Sequence, residues 1–168
     1  MTARRVTWWL LIVALSAATI AAASVGAWQL VAKSRPTVPV ADKASARQAA
    51  MVAATTGAVR VLSYTPDTVE DDVNTAKTLL TGDFLKSYDQ LTSQTVIPGA
   101  RAQRITSNAT VAQAGVESLD DDSATILVFV NQKTTGNDRP EPTLTASSVR
   151  VGLTKVRGTW LIDRFEPV

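Results

Sequence analysis

The residues best suited to chemistry are the carboxylates of one short stretch. "TVEDDVNTAKTLLTGDF", residues 68–84, holds Glu70, Asp71, Asp72 and Asp83 around Gly82. Carboxylates this close in sequence can act as an acid/base pair or cradle a cation. Their spacing argues against both. On a helix each residue turns by about 100°, so Val69, Val73, Ala76 and Leu80 share one direction while Glu70, Asp71 and Asp72 fan out over about 200°. Three consecutive helical carboxylates cannot aim at one ion. They instead suit the first turn of a helix, where negative charge opposes the dipole by about 0.3–1 kcal/mol each. The alternating acids of an EF-hand loop are absent.

Other candidates are few. Asp83 reads as a helix N-cap; a chemical role would need it buried and facing a donor such as Tyr64 or Tyr88. Asp120, Asp121 and Asp122 read as a polar turn. Asn108-Ala109-Thr110 matches a glycosylation sequon. The chain has no histidine and no cysteine, which removes the commonest general base, thiol catalysis and zinc thiolate sites. Phosphate-loop and G-x-S-x-G spacings are missing too. These observations predict no catalytic residue, no cofactor and no metal.

The elements that position these residues follow from periodicity. From Asp42 to about Tyr64 an Ala-rich, proline-free run predicts a first helix, with Ala49, Val52, Thr56, Val59 and Leu62 as its apolar stripe. Thr68 is expected to cap a second helix to about Leu80, with Asp71 in a capping-box position. Gly82 is expected to end it. Thr81 or Asp83 would cap a third helix from Phe84 towards Thr95, stopped by Pro98-Gly99. After residue 104 the pattern turns to strands. "RITSNATVAQAGVESL", "SATILVFVNQKTT", "LTASSVRVGLTKV" and "TWLIDRFEP" alternate or run apolar, "TGNDRPEP" (135–142) reads as a loop, and Arg157-Gly158 signals a hairpin. Helices followed by four strands predict an α+β domain, with helices on one face of an antiparallel sheet.

Residues 6–32 carry no charged side chain over 27 positions, with Trp8, Trp9 and Trp28 near the ends and Arg4, Arg5, Lys33 and Arg35 outside. A helix of that length reaches about 40 Å, enough to cross a bilayer. The run is too long for the apolar region of a signal peptide, although Ala21-Ala22-Ala23 would suit cleavage. The predicted organisation is a tail (1–5), a transmembrane helix (6–32), a Pro-interrupted linker (33–41) and a folded domain (42–168). Four of the 17 basic residues lie in the first 35 positions, leaving 13 against 15 acidic residues. That balance points away from nucleic acid, and the charges flanking the helix do not decide its orientation.

Three stretches, "VLSYTPDTVEDDVNTAKTLLTGDF" (61–84), "LVFVNQ" (127–132) and "VRVGLTKVRGTWLIDRFEPV" (149–168), together resemble the Mce-associated membrane proteins of actinobacteria. Ser63-Tyr64-Thr65-Pro66 departs from the family's usual phrase after the first helix. The resemblance implies an NTF2-like, VirB8-like cone of three helices on a curved four-stranded sheet. It implies a cytoplasmic N-terminus and a domain on the outer, periplasm-like side of the plasma membrane. It implies a non-enzymatic accessory subunit of an Mce-type fatty acid or sterol importer, with Mce subunits as partners and lipid as a further candidate. The alternatives are a scaffold of another envelope machine, or a cone that binds a small apolar ligand. Phe84, Tyr88, Phe129, Trp160 and Asp163 are then the expected pocket lining.

Overall fold

The computed structural model describes residues 43–168 apart from Asp138. The predicted tail, transmembrane helix and linker lie outside the described residues. Among the described residues, no helix is long and apolar enough to cross a membrane.

The helices come first: α1 (Ala44–Leu62), α2 (Val69–Lys77), α3 (Gly82–Leu91), a π-helical turn (Thr92–Val96) and α4 (Ile97–Gln103). Four strands follow, β1 (Thr106–Leu119), β2 (Ser123–Gly136), β3 (Arg139–Val156) and β4 (Thr159–Pro167), forming one antiparallel sheet in the order β1-β2-β3-β4. This is the α+β architecture the residue pattern predicts. Alternate residues Ala124, Ile126, Val128 and Val130 of β2, with Val149, Val151 and Leu153 of β3, are buried on the face that packs with the helices. Register shifts after Val111 and Val116 bend β1.

The buried stripe of α1 differs from the expected one. Ala50, Ala54, Gly57, Ala58 and Val61 are buried, whereas Ala49 and Thr56 are exposed and Val52 is 50% exposed. Close approach explains the change. A β-carbon on Gly57 would collide with Cδ1 of Ile162, so the face with the smallest side chains is the one that fits against β4.

The second and third helices also depart from expectation. Thr68 occupies the N-cap of α2 but makes no capping bond. Its hydroxyl donates to Asp72 Oδ2 (2.6 Å), which also accepts the Thr65 N–H (3.3 Å), so Asp72 rather than Asp71 secures the turn. Helix α2 stops at Lys77, not Leu80. Thr81 N–H then donates to Ile162 O and Ile162 N–H to Leu79 O, both at 2.9 Å, so this connection pairs with the outer edge of β4. Gly82, with φ of +62°, opens α3 rather than ending α2, and Thr81, not Asp83, holds the cap position.

Pro98 does not stop the third helix. Val96 and Ile97 stay right-handed helical and Pro98 lies in the first turn of α4, where a missing N–H costs little. The rod ends instead at Arg104, in the left-handed conformation (φ 52°). The predicted loop at 135–142 shrinks to a tight hairpin in which Gly136 faces Arg139. Arg157 and Gly158 both have positive φ, as a two-residue type I′ hairpin requires.

Candidate functional site

The carboxylates of 68–84 disperse as helix geometry dictates. Glu70 pairs with Arg101 (3.0 Å), Asp72 turns back to the Thr65–Thr68 turn, and Asp83 pairs with Lys86 (2.8 Å). Lys86 holds the Asp83 carboxyl below the usual range, so Asp83 is an exposed anion and a poor proton donor. Among the described residues, no group of three or more acidic side chains is placed to hold a metal ion.

The five predicted lining residues do not all meet in one place. Phe84 and Tyr88 sit one turn apart on α3, with ring centroids 6.0 Å apart, and Phe84 stacks on Phe165 of β4 at 5.7 Å. Trp160 lies beside the β3–β4 hairpin under the Lys155 ammonium, 4.4 Å from its ring centre. Asp163 sits where the β3–β4 register shifts, with Oδ1 enclosed 3.5 Å from Arg164 Nε. The close contacts at Gly152 mark this crowding: an added β-carbon would meet Asp163 Oδ1 at 2.8 Å. Phe129 is on the other face of the sheet, 43% exposed, opposite Ser148 of β3.

Tyr88 is buried, and its hydroxyl donates to Val61 O at 3.3 Å. Burial, with smaller contributions from Tyr64 and Asp72, pushes its phenol up to about 12. The folded state therefore favours the neutral phenol, so this contribution is full below pH 10 and is lost as pH rises towards 12. The Tyr88→Phe protein should lose about 0.5–1.5 kcal/mol at neutral pH, the worth of one hydrogen bond. It should also lose less stability than the parent between pH 9 and 11. Urea unfolding at the two pH values checks this; equal losses would remove the assignment.

The more open feature is at the end of the sheet where β4 stops. Strand β3 has 18 residues and β4 only nine, so β4 pairs with Val149–Val156 alone. The Val168 N–H donates to Ser148 O at 3.0 Å and closes that ladder. Beyond it, among the described residues, no strand pairs the outer edge of β3 from Arg139 to Ser147. A shallow groove of about 570 Å³ lies there, lined in part by Phe129, Asn131, Ala146, Ser148, Pro167 and Val168. Leu144 is 77% exposed beside it. Alternation along β3 places its side chain on the same face as Ala146 and Ser148.

Reasoning from sequence did not single out this edge. Pro140 and Pro142 were the available signal, because proline within a strand belongs at an edge.

No family model matches the chain. It is 50% identical over 127 residues to the uncharacterized protein Rv1362c of Mycobacterium tuberculosis, covering 76% of this chain and 57% of that protein, so it spans little more than half of that relative. It is also 50% identical over 130 residues to Outer membrane protein Rv1973 of the same organism, covering 77% of this chain and 80% of that one.

Among solved structures, the domain is similar to a periplasmic fragment of TraM (TM-score 0.60, 8% identity, 71% of this chain and 95% of that one). It is also similar to an IcmL-like type IV secretion system protein from Legionella pneumophila (0.59, 13%, 76% and 94%) and to VirB8 of Agrobacterium tumefaciens (0.56, 11%, 73% and 92%). The fold is therefore the VirB8-like one. A putative aromatic ring hydroxylase from Novosphingobium aromaticivorans shares it less closely (0.50, 12%, 71% and 83%).

Proposed function

The chain belongs to the family of the mycobacterial Outer membrane protein Rv1973, and from that premise we propose that it is a non-enzymatic assembly or stabilising subunit of an Mce-type lipid importer in the cell envelope. Residues 6–32 anchor it in the plasma membrane, residues 1–5 face the cytoplasm, and residues 33–41 tether the domain 42–168 on the outer side. The observation that carries this reading is the VirB8-like fold, shared with the periplasmic fragment of TraM and a type IV secretion component, in a chain headed by a charge-free run of spanning length. The Mce assignment rests on the resemblance of residues 61–84, 127–132 and 149–168 to that family.

The competing reading, a cone that holds a small apolar ligand, has less support. Phe84 already packs against both Tyr88 and Phe165 on the helix side of the sheet, while Phe129 faces away from them. The test is affinity purification of the full-length chain from native membranes in mild detergent. Mce and permease subunits should co-purify in near-stoichiometric amounts. Recovery of the chain with neither would overturn the importer assignment.

A further inference from the structure

We propose that the groove between α1 and β1 binds a single-chain lipid carboxylate, with the head at Arg60 and the chain along Val59 and Val52. This site lies outside the helix–sheet core and does not depend on which envelope complex the chain serves.

Its apolar part is the stripe that the sequence pattern predicts for α1. Because the sheet takes the face with the smallest side chains, Ala49, Val52 and Thr56 are left exposed, and Val59 is half-buried beside them. Val52 and Val59 point within about 20° of one direction, with Ala49 and Thr56 within about 60° of it. The solvent face of a helix ordinarily carries charged residues. Residues 48–59 include none.

At the carboxyl end of this track lies a groove of about 340 Å³, lined by Thr55, Thr56, Val59, Arg60 and, from β1, Val111. That volume falls within the range of small-molecule sites. The polar groups of the groove select the head of a ligand. Arg101, Arg104, Arg150 and Arg164 each face a carboxylate, whereas Arg60 pairs with none among the described residues. The Thr55 hydroxyl donates to Met51 O at 2.8 Å, while that of Thr56 has no hydrogen-bond partner among those residues. An unpaired guanidinium beside an uncommitted hydroxyl suits a carboxylate, held by a charge-assisted hydrogen bond. No acidic side chain lines the groove to compete for Arg60.

The track selects the rest. From Arg60 back to Ala49 the helix rises about 16 Å without another charge, which suits one extended acyl chain. The same face of a second copy fits less well. Helix α1 has no acidic residue, so pairing two of these faces would leave both Arg60 side chains without a counter-ion.

The test is photolabelling of the full-length chain in phosphatidylcholine nanodiscs, using dodecanoate with a terminal diazirine and mapping adducts by mass spectrometry. Saturable adducts are expected on residues 49–56. Unlabelled dodecanoate should compete about three- to tenfold better than dodecanol, which has the same chain without the charge. It should also compete about tenfold better than octanoate, because each half-buried methylene contributes about twofold. Arg60→Gln should weaken labelling about three- to tenfold, and Arg60→Lys should restore most of it. Arg60 is exposed, so both variants should melt with the parent. Absence of saturable adducts, adducts confined to residues 6–32, or adducts spread equally over Phe129 and Leu144 would each overturn the proposal. So would equal competition by dodecanol, or unchanged labelling of a folded Arg60→Gln protein. No importer subunit is present in this experiment, so failure of the importer assignment would leave its outcome standing.

Discussion

Truncating Ile162 to alanine should destabilise the domain by about 2–5 kcal/mol, the range for emptying a fully enclosed aliphatic site. Ile162 is 1% exposed on β4, and three parts of the chain meet there. Its side chain faces Gly57 of α1, its backbone N–H and C=O bind Leu79 and Thr81 between α2 and α3, and Leu153 of β3 lies opposite. The surroundings cannot easily collapse into the space, because the backbone bonds to Leu79 and Thr81 fix the strand. Urea unfolding of residues 42–168 followed by far-UV circular dichroism measures the change. A loss below 1 kcal/mol would mean that Ile162 is not the packing centre described.

Gly57→Leu should cost about 1–3 kcal/mol or more by overpacking the same contact from the helix side. The mechanism is separable from a general helix effect. Gly57→Ala brings a β-carbon against Ile162 Cδ1, with Cγ1 only 3.3 Å away. Replacing glycine by alanine inside a helix otherwise gains about 0.8–1.0 kcal/mol. Ile162→Val removes the obstructing methyl at a cost of about 0.5–1.5 kcal/mol. The double variant Gly57→Ala with Ile162→Val should therefore be more stable than the two single changes add up to, by about 0.5 kcal/mol or more. Strict additivity in that cycle would show that α1 and β4 do not meet at this pair.

The two substitutions probe the point at which sequence patterns stopped being informative. Apolar periodicity located α1 to within two residues, but it favoured the larger side chains Val52, Val59 and Leu62 for the inner face. The structure buries Ala50, Ala54, Gly57 and Ala58 instead, because contact distance, not side-chain hydrophobicity alone, selects the face. Pro98 misled in a similar way. Within a local rule it breaks a helix, yet a π-helical turn just before it places the ring in the first turn of α4. The dispersal of Glu70, Asp71 and Asp72 was legible, because the angles between consecutive helical residues follow from the backbone alone, but the partners of Asp72 and Asp83 were not.

By itself the sequence determined the order of helices and strands, the alternation that gives each strand a buried face, the β3–β4 hairpin at Arg157-Gly158, and the scattering of Glu70, Asp71 and Asp72. All of these depend on backbone geometry and neighbours a few residues away. Only the tertiary structure decided which face of α1 meets the sheet, how Leu79–Thr81 covers β4, and, among the described residues, where the edge of β3 is left unpaired. Those outcomes depend on partners far apart in sequence, Gly57 with Ile162 and Ser148 with Val168. They are set by how closely two elements can approach and by which backbone groups of neighbouring strands meet.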